Sequence, residues 1–185
     1  MASNKVNINI PIPEIEIKIE GQWQKAINLC DGIQKSIKKG YDKGAQKFSR
    51  RLVLIIRRAI RSGTPPPGSG VYWPPLSPST IKKHGYHEIY NLTGKYARSI
   101  GIQRMSNRTY IGIPRGIKPS NTRAHKTMNQ VAIILEYGNA KIPSRPLWKP
   151  AYKSANKGGQ LKKDIMWGIR SQLYLDHGIN PRQVR

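Results

Sequence analysis

Histidine, cysteine and carboxylate side chains are the raw material of metal, nucleophilic and acid–base sites, and this chain spreads them thinly. Its 185 residues include four histidines (His84, His87, His125, His177), one cysteine (Cys30) and nine acids. His84 and His87 lie three apart, but only Glu88 stands near them, and a zinc site needs three or four convergent ligands. The acids beyond residue 42 are Glu88, Glu136, Asp164 and Asp176, each isolated in sequence. They do not suggest the paired carboxylates of a glycosidase or the clustered acids of a two-metal nuclease. A Walker-type phosphate loop, a nucleophile elbow, zinc-finger spacing, a heptad zipper and an RNA-recognition signature are all missing. The expectation is a chain with no enzymatic activity, no metal and no cofactor.

Cations are far more abundant. The chain has 33 Lys and Arg against 9 Asp and Glu, a formal net charge of +24. Residues 1–42 hold six Lys and five acids, a net of +1, so residues 43–185 carry +23. Such a field works against a lone compact monomer by self-repulsion, and a polyanion or an acidic protein surface relieves it. The densest cationic stretch is periodic. Lys47, Arg50, Arg51, Arg57, Arg58 and Arg61 share one arc of a helix, with only Leu54 intruding, while Phe48, Leu52, Ile55, Ile56, Ala59 and Ile60 share the other. No acid alternates with these six cations, as an intrahelical ion-pair face requires. They are therefore expected to face DNA or an acidic partner, acting on phosphates, which position a polymer without reading its bases.

That face needs a scaffold. Trp23, Ile27, Cys30, Ile37, Tyr41, Ala45, Phe48 and Leu52 follow three- and four-residue steps, so a long helix is expected from Gln22 to Arg61, with Cys30 a buried small hydrophobe on its stripe. Gly32, Gly40 and Gly44 each lower helix propensity by up to ~1 kcal/mol, which leaves room for a bend near 40–44. Ahead of the helix, Val6, Ile8, Ile10, Ile12, Ile15, Ile17 and Ile19 alternate with polar residues or proline, the pattern of extended chain. Pro11 and Pro13 bar a central strand. This stretch is either an edge strand or an arm that adds to a neighbouring subunit's sheet, and the arm is preferred because terminal position and missing donors both suit an added strand.

Residues 63–78, with six prolines and three glycines, form a loop. Ser77 then caps a short helix with Pro78 at its first position and Gly85 past its end. Residues 91–101 read as a second short helix capped by Thr93, and Ile102–Met105 with Thr109–Ile113 as a β-hairpin. Met128–Tyr137 is a helix or a buried strand. Pro143, Pro146 and Pro150 keep residues 139–149 extended. Leu161, Ile165, Ile169 and Leu173, at four-residue steps, mark a last helix, and the tail from His177 is expected to fray. Residues 1–20 are thus an arm, 21–176 one domain and 177–185 a flexible tail. No apolar run is long enough to span a membrane and no signal-peptide core precedes the domain, so membrane association is not expected.

Three stretches carry a resemblance. The first, Tyr72–Lys83 (YWPPLSPSTIKK), has Trp73, Pro75, Leu76, Ser77 and Thr80 in the pattern W-x-P-L-S-x-x-T. The second, Leu92–Ile100 (LTGKYARSI), has Thr93, Gly94, Ser99 and Ile100 in L-x-x-T-G-x-L-x-x-S-I, with Tyr96 where Leu is usual. The third, Val131–Ala151, has Glu136 and Gly138 in an E-x-G turn, then Pro143, Arg145 and Pro146 in P-x-R-P-x-L. In this order over about 80 residues the chain resembles the phage virion-morphogenesis or tail-completion family, the neck and minor tail proteins exemplified in phages Mu and P2.

The resemblance implies an α+β subunit: a long N-terminal helix packed on a small antiparallel β-sheet, with a C-terminal helix and an extended N-terminal arm. It implies a structural virion protein of the head–tail neck, a homo-oligomeric ring of hexamer or dodecamer type around the DNA channel. Its partners would be itself, neighbouring neck, portal or connector and tail-tube proteins, and double-stranded DNA, with assembly in the host bacterial cytoplasm. Ile8, Ile10, Ile12, Ile15, Ile17, Trp73, Glu136, Arg145 and Pro146 are the expected subunit-interface residues. Trp73 would be a rigid apolar anchor, and Arg145 a fork-shaped donor for Glu136, within or between subunits. The competing reading is a basic nucleic-acid-binding architectural or packaging protein.

Overall fold

A computed structural model describes residues 23–85, 94–105, 108–117 and 126–179. Its elements in chain order are α1 (Trp23–Ser62), α2 (Pro78–His84), α3 (Lys95–Ser99), β1 (Gly101–Met105), β2 (Arg108–Gly112), α4 (Met128–Tyr137), α5 (Trp148–Ala155) and α6 (Gln160–His177). The class is α+β and mostly helical: a long N-terminal helix, one two-stranded antiparallel sheet and a C-terminal helix. The expected arm at residues 1–20, the capping role of Thr93 and the last residues of the tail lie outside the described residues.

The 40 residues of α1 run unbroken, a rod of about 60 Å at the α-helical rise. Gly40 and Gly44 do not break it. They let α6 approach, and Gly168 on α6 meets them. A Cβ on Gly40 would stand 2.5 Å from Ile169 Cα, and one on Gly44 or Gly168 would run into the backbone of Asp164 or Gly40. The low helix propensity of these glycines is offset by backbone-to-backbone packing that no larger residue permits.

Beyond the crossing, α1 turns its apolar face to the core. Phe48, Leu52, Val53, Ile56, Ala59 and Ile60 are buried, with Trp73, Tyr96, Ala97, Ile100, Met128, Leu147 and Ala151 against them. Ile55, expected in the core, is only half-buried, and Val53 takes its place. The hairpin pairs Ile102 with Ile111, and both rest on this core. A two-stranded ribbon needs such support to be stable.

Four expectations are corrected. Trp23, Ile27, Ile37 and Tyr41 are exposed, and so is Cys30, because α6 covers a different side of α1 there. α3 is shorter than the expected 91–101 helix, spanning only Lys95–Ser99 from a Gly94 in left-handed conformation. Residues 148–149 are helical, not extended, because Pro150 stands in the first turn of α5, where its missing N–H has no intrahelical acceptor to lose. His177 is not frayed; it is the last residue of α6, with Nε2 3.0 Å from Ser36 Oγ. Ser77, Pro78 and Gly85 frame α2 as expected, and Met128–Tyr137 is a helix, fixed by a capping box between Thr127 and Gln130.

Close packing predicts a sharp asymmetry among the α1 glycines. Gly44→Ala should cost about 1–3 kcal/mol in denaturant unfolding through forced separation of α1 and α6. Gly32→Ala should be near-neutral, because its Cβ would meet only side-chain atoms of His177 and no backbone.

The same helix pair carries a pH-sensitive lock. Ser36 Oγ donates to Asp176 Oδ2 at 2.6 Å, and this bond, then those from Gln172, hold the Asp176 carboxyl below the usual carboxylate range. A depressed pKa means the bond stabilises above the unfolded value, roughly 4, and is lost as pH falls through the folded one. Protection from hydrogen exchange in the last turn of α6 should therefore fall below about pH 4, and Ser36→Ala should weaken that pH step.

Candidate polyanion-binding face

The six cations of α1 are not equivalent. Asp164, 2% exposed on α6, takes Arg51 Nη1 at 2.7 Å and Nη2 at 3.4 Å, one guanidinium edge spanning both carboxylate oxygens. Gln160 Nε2 donates to Asp164 Oδ1 at 3.1 Å, and Lys47 Nζ lies 3.7 Å from the same oxygen. Arg57 Nη2 donates to the Ile100 carbonyl at 2.8 Å, which ties α1 to the α3–β1 junction. Arg51 and Arg57 therefore serve the fold, a correction to their expected outward role. Arg50, Arg58 and Arg61 remain exposed, around a Leu54 that is 65% exposed.

A second group of cations joins them from α6, and sequence reasoning missed it. Lys47 Nζ sits 3.9 Å from the Trp167 ring centroid and Lys43 Nζ 5.4 Å from it. Lys43 also donates to Ser171 Oγ at 3.2 Å. Trp167 lines an open groove of about 820 Å³ with Lys162, Lys163, Met166, Arg170 and Tyr174. The signal lay in the spacing of Lys163, Trp167, Arg170 and Tyr174, four- and three-residue steps that set aromatic and cationic groups on one face. Lysines over an exposed indole, with further cations beside it, make a surface that attracts phosphates and offers a stacking platform.

Four of the residues that carried the family resemblance, Trp73, Glu136, Arg145 and Pro146, converge elsewhere, in a knot between the proline-rich loop and the segment from α4 to α5. Trp73 is buried, and its Nε1 donates to the Pro146 carbonyl at 2.9 Å. Arg145, also buried, donates from Nε to the Pro74 carbonyl and from Nη2 to the Pro75 carbonyl, both at 2.9 Å. Glu136 Oε2 accepts from the backbone N–H groups of Leu147 at 2.7 Å and Trp148 at 3.2 Å. It thus caps α5, whose own N-cap, Leu147, has no side chain for the task. Tyr96, from the second stretch, lies buried close by, and desolvation together with the Glu136 charge pushes its phenol up.

Two expectations change here. Arg145 and Glu136 do not pair with each other inside the chain; each satisfies backbone groups in the same knot. Trp73 is an internal anchor, not an exposed one. Pro146 is half-buried in the knot, and Ile8, Ile10, Ile12, Ile15 and Ile17 lie outside the described residues.

Among the described residues no group of three or more His, Cys, Asp or Glu is placed to hold a metal ion, and no helix is long and apolar enough to cross a membrane. No protein-family model, curated protein or solved structure matches the chain.

Burial separates structural cations from available ones. Asp164→Ala, which strands Arg51 at a part-buried site, should cost about 3 kcal/mol in equilibrium unfolding. Arg50→Ala should stay within about 0.5 kcal/mol.

Proposed function

We propose that this chain is a structural subunit of a phage head–tail neck, of the tail-completion or head–tail joining type, and not an enzyme. It assembles as a homo-oligomeric ring around the DNA channel, beside portal or connector and tail-tube proteins, in virions built in the bacterial cytoplasm. The observation that carries this reading is the basic surface of α1 and α6, with Arg50, Arg58 and Arg61 exposed on one helix and Lys43 and Lys47 over Trp167 at its crossing. Asp164, the buried acid at that crossing, is already held by Arg51 and Lys47. The assignment to a neck rests on the three-part sequence resemblance. Its support from the fold is that Trp73, Tyr96, Glu136, Arg145 and Pro146 meet in one knot, as pieces of a single fold signature do.

A monomeric basic architectural protein is the second reading, favoured by the exposed Trp167 flanked by lysines, a feature suited to direct nucleic-acid contact. Native mass and salt dependence separate the two. The neck reading expects a DNA-free ring, and a monomer that binds duplex DNA with a steep salt slope overturns it. In the ring, Arg50→Glu, Arg58→Glu and Arg61→Glu combined should leave ring size and melting temperature nearly unchanged. The same variant should lower DNA retention or head–tail joining at least about tenfold. Unaltered DNA retention by the folded variant would remove this face from the channel.

A further inference from the structure

The first five turns of α1 carry an apolar stripe that no described element covers. Trp23, Ile27, Cys30, Gln34, Ile37 and Tyr41 follow steps of four, three, four, three and four. All six are exposed: Trp23 by 57%, Ile27 by 52%, Ile37 by 41% and Tyr41 by 51%, with Cys30 and Gln34 in the same class. α6 cannot reach them. It meets this part of α1 on the opposite side, through Ser36 and Gly32, and ends at His177. Every residue from Trp23 to Asp31 is exposed, so the start of α1 projects past the end of α6.

The alternation of four and three has a meaning once the stripe is known to be exposed. It is a period of 3.5, the seam of a helix wound against another helix, over a stretch too short to stand out as a zipper in the sequence. Charge selects the partner. Residues 23–42 hold Lys25, Lys35, Lys38 and Lys39 against Asp31 and Asp42, a net of +2, while residues 43–185 carry +23. The stripe itself bears no charge, so a polyanion has little to grip. It is also the part of the chain where two copies can approach with least repulsion.

Charge also selects the direction. A parallel pair would set the two basic halves side by side, about 10 Å apart. An antiparallel pair centred near Gly32 sends them to opposite ends, with the two Lys43 positions roughly 33 Å apart along the axis, several Debye lengths. In that register the stripe matches itself: Trp23 faces Tyr41 of the second copy, Ile27 faces Ile37, and Cys30 faces Gln34. The apolar area so covered is on the order of 1,000 Å² over both copies, the lower bound of a specific, reversible interface.

We infer that residues 23–41 of α1 form a two-fold antiparallel coiled coil with the same segment of a second copy. The pairing does not rest on the neck reading. It uses the face of α1 away from Arg50, Arg58 and Arg61, and in a ring it would join two rings back to back.

The test uses the full chain with Cys30→Ser, carrying either Ile27→Cys or Ile37→Cys. When the two variants are co-expressed and oxidised, a mixed 27–37 disulfide should form, at least about tenfold more than either variant forms alone. Each like pair would be ten residues, roughly 15 Å, out of register. A strong 27–27 disulfide from the first variant alone would mean a parallel pair and overturn the proposal. In parallel, Ile27→Asp with Ile37→Asp should halve the native mass with no loss of helical circular dichroism, since both positions are exposed. An unchanged mass with no mixed disulfide would also overturn it. A dimer that never forms rings would defeat the neck reading and leave this inference standing.

Discussion

Everything else in this fold hangs on the close approach of α1 and α6. Three glycines, Gly40, Gly44 and Gly168, bring the two backbones into direct contact, so the helices are held at a spacing that ordinary side chains would prevent. One consequence is electrostatic. The crossing buries Asp164, and a buried carboxylate demands a compensating charge. Arg51 and Lys47, one turn apart on α1, supply it. The most cationic helix of the chain thus gives up part of its charged face to hold its own neighbour. The cations left over, Arg50, Arg58 and Arg61, stay exposed on the same unbroken helix.

The second organising contact solves a different problem. A loop of six prolines has few backbone donors, and its carbonyls need partners if it is to pack. Arg145 is suited to that task because its planar fork reaches the carbonyls of Pro74 and Pro75 at once. Trp73 returns the favour by donating to the Pro146 carbonyl. Glu136 then closes the segment by capping α5. Residues that sequence reasoning placed between subunits turn out to satisfy main-chain groups within one.

The sequence was legible where local chemistry decides the outcome. Ser77, Pro78 and Gly85 framed α2, the hairpin followed from alternation at Ile102–Met105 and Thr109–Ile113, and the apolar period marked both long helices. It was misread where two rules competed. Pro150 argued for extended chain, yet proline is welcome in the first turn of a helix, and α5 starts there. The capping box of Thr127 and Gln130 was present in the sequence and decides α4 as a helix. What could not be read was tertiary partnership. Nothing local distinguishes Arg51, which meets a buried carboxylate, from Arg50 beside it, which does not. The Lys47–Trp167 contact joins residues 120 positions apart, so half of the candidate face was invisible until α6 was laid on α1.

This division of roles along one helix bears on how so basic a chain can assemble at all. A net charge of +24 opposes any contact between copies. The opposition is not uniform, because almost all of the charge lies past residue 42. α1 spans the boundary: its first turns are nearly neutral and apolar on the exposed side, and its last turns are cationic outside and apolar inside. Along its axis the centres of these two surfaces, near residues 32 and 55, lie roughly 35 Å apart, more than the roughly 8 Å over which salt screens charge. A shorter helix would force self-association and polyanion binding onto the same ground, where each would weaken the other. An unbroken helix, with its glycines spent on the crossing, gives both surfaces room on one small chain.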